Sequence, residues 1–166
     1  MTGAVLPSLI VPTPPLPVEG SVEVDLPVDC LWKRFEDVAA WREWNPCFWR
    51  SWIVGGGRLR LGARLVLIFN PLRPWLLYRL PAIATVVELV PNERVTWEVD
   101  LPGFHALHSY RFAELGPSRC SFGSWEVAEG RLYFAARRFW LAHFRYVRER
   151  SLAGASSLGR SGQPRR

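Results

Sequence analysis

Few residues in this chain can do chemistry, and their spacing narrows what that chemistry is. His105 and His108 stand three apart in a strand-like run. They therefore point to opposite faces and do not chelate one metal together. Cys30, Cys47 and Cys120 are odd in number and lack CxxC or Cys/His ligand spacing, which predicts free thiols in a reducing compartment and no zinc or disulfide framework. There is no Gly-x-Ser-x-Gly elbow, and Cys30 and Cys47 have no evident His partner, so nucleophilic catalysis has no motif behind it. Gly55-Gly56-Gly57 falls in a hairpin rather than before a helix, which argues against a phosphate loop. No cofactor is expected.

Acid–base chemistry remains. The candidates are His108, Tyr110 and Glu126, joined by His143. An imidazole titrates near neutrality and burial raises a carboxylate's pKa. A His and a Glu across a dry cavity could thus serve as general acid and base in an aldol cyclisation or dehydration. The plainer reading gives each group one hydrogen bond inside an apolar lining, where it orients a ligand.

The elements that must position these residues follow from periodicity. Residues 1–17 hold Pro7, Pro12, Pro14, Pro15 and Pro17 and read as a flexible arm; that proline density also forbids a spanning helix. Residues 21–26 alternate apolar and polar as a half-buried strand. Pro27 suits the first turn of a helix carrying Leu31, Trp32 and Phe35, and a second short helix runs from Val38 to Trp44 until Asn45-Pro46 stops it. Strands are expected over 48–54, 63–70, 82–90, 94–100, 104–114 and 119–128, divided by Gly, Pro and Asn turn signals short enough to make hairpins. A helix over 131–152 then places Leu132, Ala136, Phe139, His143, Tyr146 and Val147 on one face. Arg131, Arg137, Arg138, Arg145, Arg148 and Glu149 fall on the other. Residues 153–166 read as a disordered basic tail.

Composition sets further bounds. At 166 residues, 49% of them hydrophobic, the chain is one domain with one sizeable core. Nine Trp residues suggest a cavity wall as well as core filler. The net charge of +6 is concentrated in residues 131–166, where nine Arg face Glu149 alone. That excess reads as a solvated helix face, with nucleic acid not expected as a partner. The protein is expected to be cytoplasmic, because the N-terminus lacks the basic segment of a secretory signal.

Strand, two short helices, six strands and a long terminal helix is the element order of the START-like, or SRPBCC, helix-grip superfamily. The local sequence resembles it over about residues 18–152. Leu26-Pro27-Val28-Asp29-Cys30-Leu31-Trp32 is similar to its strand-to-helix passage, and Trp41-Arg42-Glu43-Trp44-Asn45-Pro46 to its aromatic-x-x-Trp-Asn-Pro segment. Leu61-Gly62-Ala63-Arg64-Leu65 resembles its Val-Gly-Ala-Arg-Leu hairpin, and the run from Val86 to Trp97 its Val-x-Glu-Val-Val-Pro-x-x-Arg-x-x-Trp strand pair. His108-Ser109-Tyr110-Arg111-Phe112 and Trp125-Glu126 match its last two strands. The polyketide cyclase/dehydrase and lipid-transport subgroup is the nearest in pattern. Two places depart from it: the proline-rich arm, and the apolar stretch Pro71-Leu72-Arg73-Pro74-Trp75-Leu76-Leu77-Tyr78 where a more polar turn is usual.

The resemblance implies an α+β helix-grip fold, a curved antiparallel sheet of about seven strands around the terminal helix. It also implies an apolar ligand held between them. Alternation then marks the inward side chains. Leu65, Leu67 and Phe69 share one face, as do Val95, Trp97 and Val99, and Ala106, His108, Tyr110 and Phe112. The parity of 119–128 stays open: either Cys120, Phe122, Ser124 and Glu126 point inward, or Trp125 and Val127 do. The expected ligand contacts are Trp44, Leu65, Leu67, Phe69, Trp97, His108, Tyr110, Phe112, Phe122, Glu126, Phe139 and His143. Trp41, Trp44, Trp49, Trp52 and Trp75 are either a cavity rim or helix-to-sheet packing. Trp75, Leu76 and Leu77 beside prolines suggest a membrane or self-association contact.

Three functions compete. The first is binding, transport or sequestration of a small hydrophobic molecule such as a lipid or polyketide. The second is a polyketide cyclase or dehydratase using His108, Tyr110 and Glu126. The third is a surface module working through the Arg-rich helix face, where Phe134, Leu141 and Leu152 sit among the arginines.

Overall fold

The structure is a computed structural model that describes residues 17–73 and 75–161, with the Ser161 side chain outside the description. The elements run β1 (Val18–Val24), α1 (Val28–Glu36), a 3-10 turn (Val38–Ala40), α2 (Trp41–Trp44), β2 (Phe48–Ile53), β3 (Arg64–Phe69), β4 (Leu80–Val90), β5 (Arg94–Leu101), β6 (Phe104–Gly116), β7 (Arg119–Glu129), α3 (Arg131–Ala135) and α4 (Arg137–Ser161). The seven strands form one antiparallel sheet in the order β1-β7-β6-β5-β4-β3-β2. This is the helix-grip α+β architecture. The connections from β2 to β7 pair neighbours in sequence, and their tight turns use residues that accept positive φ, such as Asn92 at 63° and Gly103 at 82°.

The concave face is unevenly filled. Toward β1 it carries Phe112 paired with Phe122 and Val95 paired with Tyr110, all buried. Here α1 and α2 drive an aromatic plug into the curl. Phe35 lies with Trp32, Trp41, Trp44, Trp97, Tyr110, Phe112 and Phe122 at ring-centroid separations of 4.9 to 6.4 Å. Toward the β5–β6 turn the inner positions shrink to Ala82, Ala106 and Ala128. Small side chains on a curved wall leave room above them.

Helix α4 is held by a buried polar cluster at its middle. Ser151 Oγ accepts from Asn45 Nδ2 at 2.8 Å and shares a hydrogen bond with the Tyr110 hydroxyl at 2.6 Å, while Asn45 Oδ1 accepts the Cys47 amide at 3.2 Å. Ser151 on α4 thus meets the segment after α2 and strand β6 at one point, which fixes the height of the helix over the sheet. Close backbone approach does the rest. A Cβ on Gly154 would land on the Trp44 carbonyl oxygen, and one on Gly159 would lie 2.7 Å from the Asp25 amide nitrogen.

Two sequence expectations change here. The single helix over 131–152 is two, broken at Ala136 where φ is −119° and ψ is 30°. The inner face also differs from the expected one: Leu132 and Ala136 are exposed, and Tyr133, Trp140 and Phe144 lie inside, Tyr133 stacking with Phe144 at 6.4 Å and Trp140 meeting Phe104 at 4.4 Å. The expected disordered tail over 153–166 is helical through residue 161, because Gly154, Ala155 and Gly159 are buried against the β1–α1 and α2 segments. Residues 1–16 and 162–166, with most of the arm and the end of the tail, lie outside the described residues.

Gly154→Ala should destabilise the protein by about 1–3 kcal/mol through overpacking, although helix propensity alone favours Ala by about 1 kcal/mol. Chemical denaturation reads the sign directly; a gain in stability would mean that α4 does not press on Trp44.

Candidate functional site

A cavity of about 300 Å³ opens where the aromatic plug stops. Its walls are Leu67 and Phe69 on β3, Leu80 to Ile83 on β4, Trp97, Val99 and Leu101 on β5, Phe104, Ala106 and His108 on β6, Glu126 on β7, and Trp140, His143 and Phe144 on α4. Apart from three titratable side chains the lining is apolar or aromatic.

Those three lie together. β6 and β7 pair His108 with Glu126 across the ladder, and His108 Nδ1 comes within 3.3 Å of Glu126 Oε2. The approach is an ion-pair distance without hydrogen-bond alignment, since Oε2 is buried and accepts no hydrogen bond. The other ring nitrogen, Nε2, lies 3.3 Å from Ser124 Oγ, and the imidazole stacks on Trp97 at 5.1 Å and 21°. Serine, imidazole and carboxylate in that order resemble a hydrolase triad in outline. Ser124, however, is buried and does not face the cavity, so it orients the ring and supplies no nucleophile to a ligand there. His143 stands over the opposite wall, edge-on to Phe69 at 4.9 Å and stacked with Phe139 at 6.3 Å.

Of the expected contacts, Leu67, Phe69, Trp97, His108, Glu126 and His143 reach the cavity. The open parity of β7 resolves to Cys120, Phe122, Ser124 and Glu126 inward. Trp44, Leu65, Phe112 and Phe122 face inward too, but they belong to the packed core around the plug. Tyr110 is wholly buried there, and burial together with the nearby Cys47 pushes its hydroxyl well above the ordinary value, which keeps it a neutral partner of Ser151. Phe139 is half-buried behind His143, off the wall. Trp140 and Phe144 lie off the helix face expected to be inward, Leu80 precedes the expected strand 82–90, and Val99, placed on the inward face, and Ala82 are not among the expected contacts, yet all five line the cavity.

The Trp set also divides. Trp41 is core, donating its indole N–H to the Phe35 carbonyl at 2.6 Å, and Trp44 packs against the Phe35 ring at 6.3 Å. Trp49 and Trp52 are partly exposed, with Arg79 over the Trp49 ring at 4.4 Å. Trp75 is 68% exposed with Arg73 against its ring at 5.6 Å, Leu77 is fully exposed and Leu76 half-buried. The three thiols are free: Cys30 is exposed, whereas burial pushes Cys120 up to about 11 and Cys47 well above the usual thiol value. Among the described residues no His, Cys, Asp and Glu cluster has metal-holding geometry, and no helix is long and apolar enough to cross a membrane.

Comparisons with known proteins agree with this geometry. The sequence profile described as polyketide cyclase / dehydrase and lipid transport matches residues 16–154. A START superfamily protein from Mycobacterium smegmatis is similar in structure, with a TM-score of 0.60 at 17% identity, covering 86% of this chain and 97% of that one. A hypothetical protein from Helicobacter pylori superposes with a TM-score of 0.70 at 15% identity over 96% of this chain and 97% of its own. The Zhui aromatase/cyclase from a Streptomyces species gives 0.58 at 15% identity over 90% and 99%. At such identities these likenesses establish the fold. No curated protein matches the sequence.

His143 gives the site a pH signature. Burial pushes its imidazole below the ordinary 6.5, with Glu126 pulling the other way and His108 adding to the depression. The native state therefore keeps this ring neutral while the unfolded chain takes up a proton near 6.5, so the unfolded state binds more protons in acid. Stability from this residue is complete above about 6.5 and is lost as the pH falls below it. Denaturation midpoints of the native protein should drop between pH values of roughly 7.5 and 5.5, and His143→Gln should flatten part of that drop; parallel profiles for the two proteins would exclude a buried neutral His143.

Proposed function

The chain belongs to the polyketide cyclase / dehydrase and lipid transport family, and we propose that it binds a small hydrophobic molecule in the cavity between sheet and α4. The observation that carries this reading is the apolar cavity itself, set between a wall of small side chains and the aromatic face of α4. Leaving such a space unfilled forfeits packing on the order of several kcal/mol, which is a large part of a domain's net stability. Occupancy by an apolar guest recovers it. Transport or sequestration of a lipid- or polyketide-like compound small enough for a cavity of about 300 Å³ suits the same site.

A second reading has an observation of its own. His108 and Glu126 meet on the cavity wall at 3.3 Å, the arrangement a general acid–base pair needs beside a bound carbonyl compound. The likeness to an aromatase/cyclase supports a cyclase or dehydratase in that case. Tyr110 takes no part in this version, since Ser151 holds it away from the cavity. A third role concerns the β3–β4 loop. Its exposed Trp75 and Leu77, with Arg73 alongside, suit contact with an anionic membrane surface from which an apolar ligand could be taken up.

Native mass spectrometry of the purified protein should reveal a bound apolar compound, and Ala82→Phe, which fills the cavity, should lose it without loss of fold. Retention of the same mass by the filled variant would place the ligand elsewhere. In the enzyme reading, His108→Ala abolishes turnover of a cyclisable polyketide mimic and leaves its affinity within about threefold, the behaviour of an interaction made mainly in the transition state. Trp75→Ser should weaken binding to phosphatidylglycerol vesicles at low salt; unchanged cosedimentation would remove the loop from membrane contact.

A further inference from the structure

One carboxylate oxygen in the cavity region has an ion-pair neighbour but no aligned hydrogen bond, and it narrows the ligand's chemistry. Glu126 Oε2 is buried and accepts no hydrogen bond. Neither neighbouring imidazole is placed to satisfy it. His108 lies flat on Trp97 with Nε2 turned to Ser124, which leaves Nδ1 close to Oε2 but out of line. His143 is held between Phe69 and Phe139. The remaining lining is apolar or aromatic, and its two other side-chain donors, the indole N–H groups of Trp97 and Trp140, do not donate to Oε2. An ionised carboxylate only accepts hydrogen bonds, and a buried acceptor without a donor carries its full desolvation cost.

Resting on the ligand-binding reading above, we infer that the cavity selects apolar molecules that present a hydroxyl or amine to Glu126, and discriminates against those that end in a carboxylate. A donor supplied by the guest gives the Glu126 carboxylate the aligned hydrogen bond that the described side chains do not. A guest carboxylate brings a second acceptor and no donor to a place with little water to satisfy either. Size narrows the class further. At the ~30 Å³ that a water-sized group occupies in a liquid, about 300 Å³ holds roughly ten methylene-sized groups. A phenol, a short alcohol or a monoterpenoid-sized amine fits within the walls, and the two chains of a phospholipid do not.

Four probes of one shape test this: naphthalene, 2-naphthol, 2-naphthylmethylamine and 2-naphthoate. Affinities are measured by calorimetry at a pH of about 8, where an ordinary imidazole is neutral, with amide chemical shifts of the wall residues to locate binding. The naphthol and the amine should each bind about tenfold or more tightly than naphthalene, as expected for hydrogen bonds to a buried charged group. Naphthoate should bind more weakly than naphthalene. Glu126→Gln should shrink the preference for naphthol and restore binding of naphthoate. If naphthalene shifts the wall amides but binds as well as the naphthol, or if naphthoate binds best, the selectivity is overturned while the cavity stands as a ligand site. If no probe moves the wall amides, both readings fall. Should Glu126→Gln not fold, the ranking on the native protein still decides.

Discussion

The aromatic plug around Phe35 is the constraint on which the rest of this molecule depends. A curled sheet encloses more space than its own side chains fill, and something must occupy the remainder. Here α1 and α2 deliver Phe35, Trp41 and Trp44 into one end, where they pack face and edge against Trp97, Tyr110, Phe112 and Phe122. The plug ends at Trp97. Beyond it the sheet turns to Ala82 and Ala106, and the space is left as a cavity. Trp97 and His108, stacked on each other, form the boundary between solid core and open site.

Helix α4 closes the other side, and its placement is set far from the cavity. Ser151 ties it to Asn45 and Tyr110, while Gly154 and Gly159 let it lie against backbone. Gly20 on β1 serves the same purpose: a Cβ there would sit 3.2 Å from the Arg148 side chain and 3.3 Å from Leu152. With the C-terminal half anchored in this way, two turns toward the N-terminus His143 and Phe144 hang over the cavity, and Trp140 rests on Phe104. The polar cluster thus does structural work for an apolar site. Tyr110, an attractive catalytic candidate on residue type alone, is consumed by it.

The arginine-rich face has a simpler role in the folded chain. Arg131, Arg137, Arg138 and Arg145 point to solvent, as an amphipathic helix on a sheet requires. Arg148 is the exception, reaching the Glu19 carbonyl at 3.2 Å and bracing α4 against β1.

The alternation of side chains, the Gly, Pro and Asn turns and the amphipathic last helix were legible in the sequence, because each is a local property of a short segment. The boundaries of β2 to β7 follow from them to within two residues, those of β1 to within three, and so does the inward set Leu67, Phe69, Trp97 and His108. What the chain could not announce is anything set by contact across the fold. The parity of β7 is decided by its ladder with β6, which brings Glu126 to His108. No Gly or Pro marks the break at Ala136; and although Tyr133, Trp140 and Phe144 share a face by their spacing, only the contacts of Tyr133 with Phe144 and of Trp140 with Phe104 make it the inner one. The helix beyond residue 152 looks like a fraying Ser/Gly tail until α2 and β1 supply the backbone surfaces that its glycines fit. Above all, periodicity assigns a residue to a face but not to a place along it. Whether an inward side chain meets the plug, as Tyr110 and Phe122 do, or the cavity, as His108 and Glu126 do, depends on how far α1 and α2 reach into the curl, which only the folded chain determines.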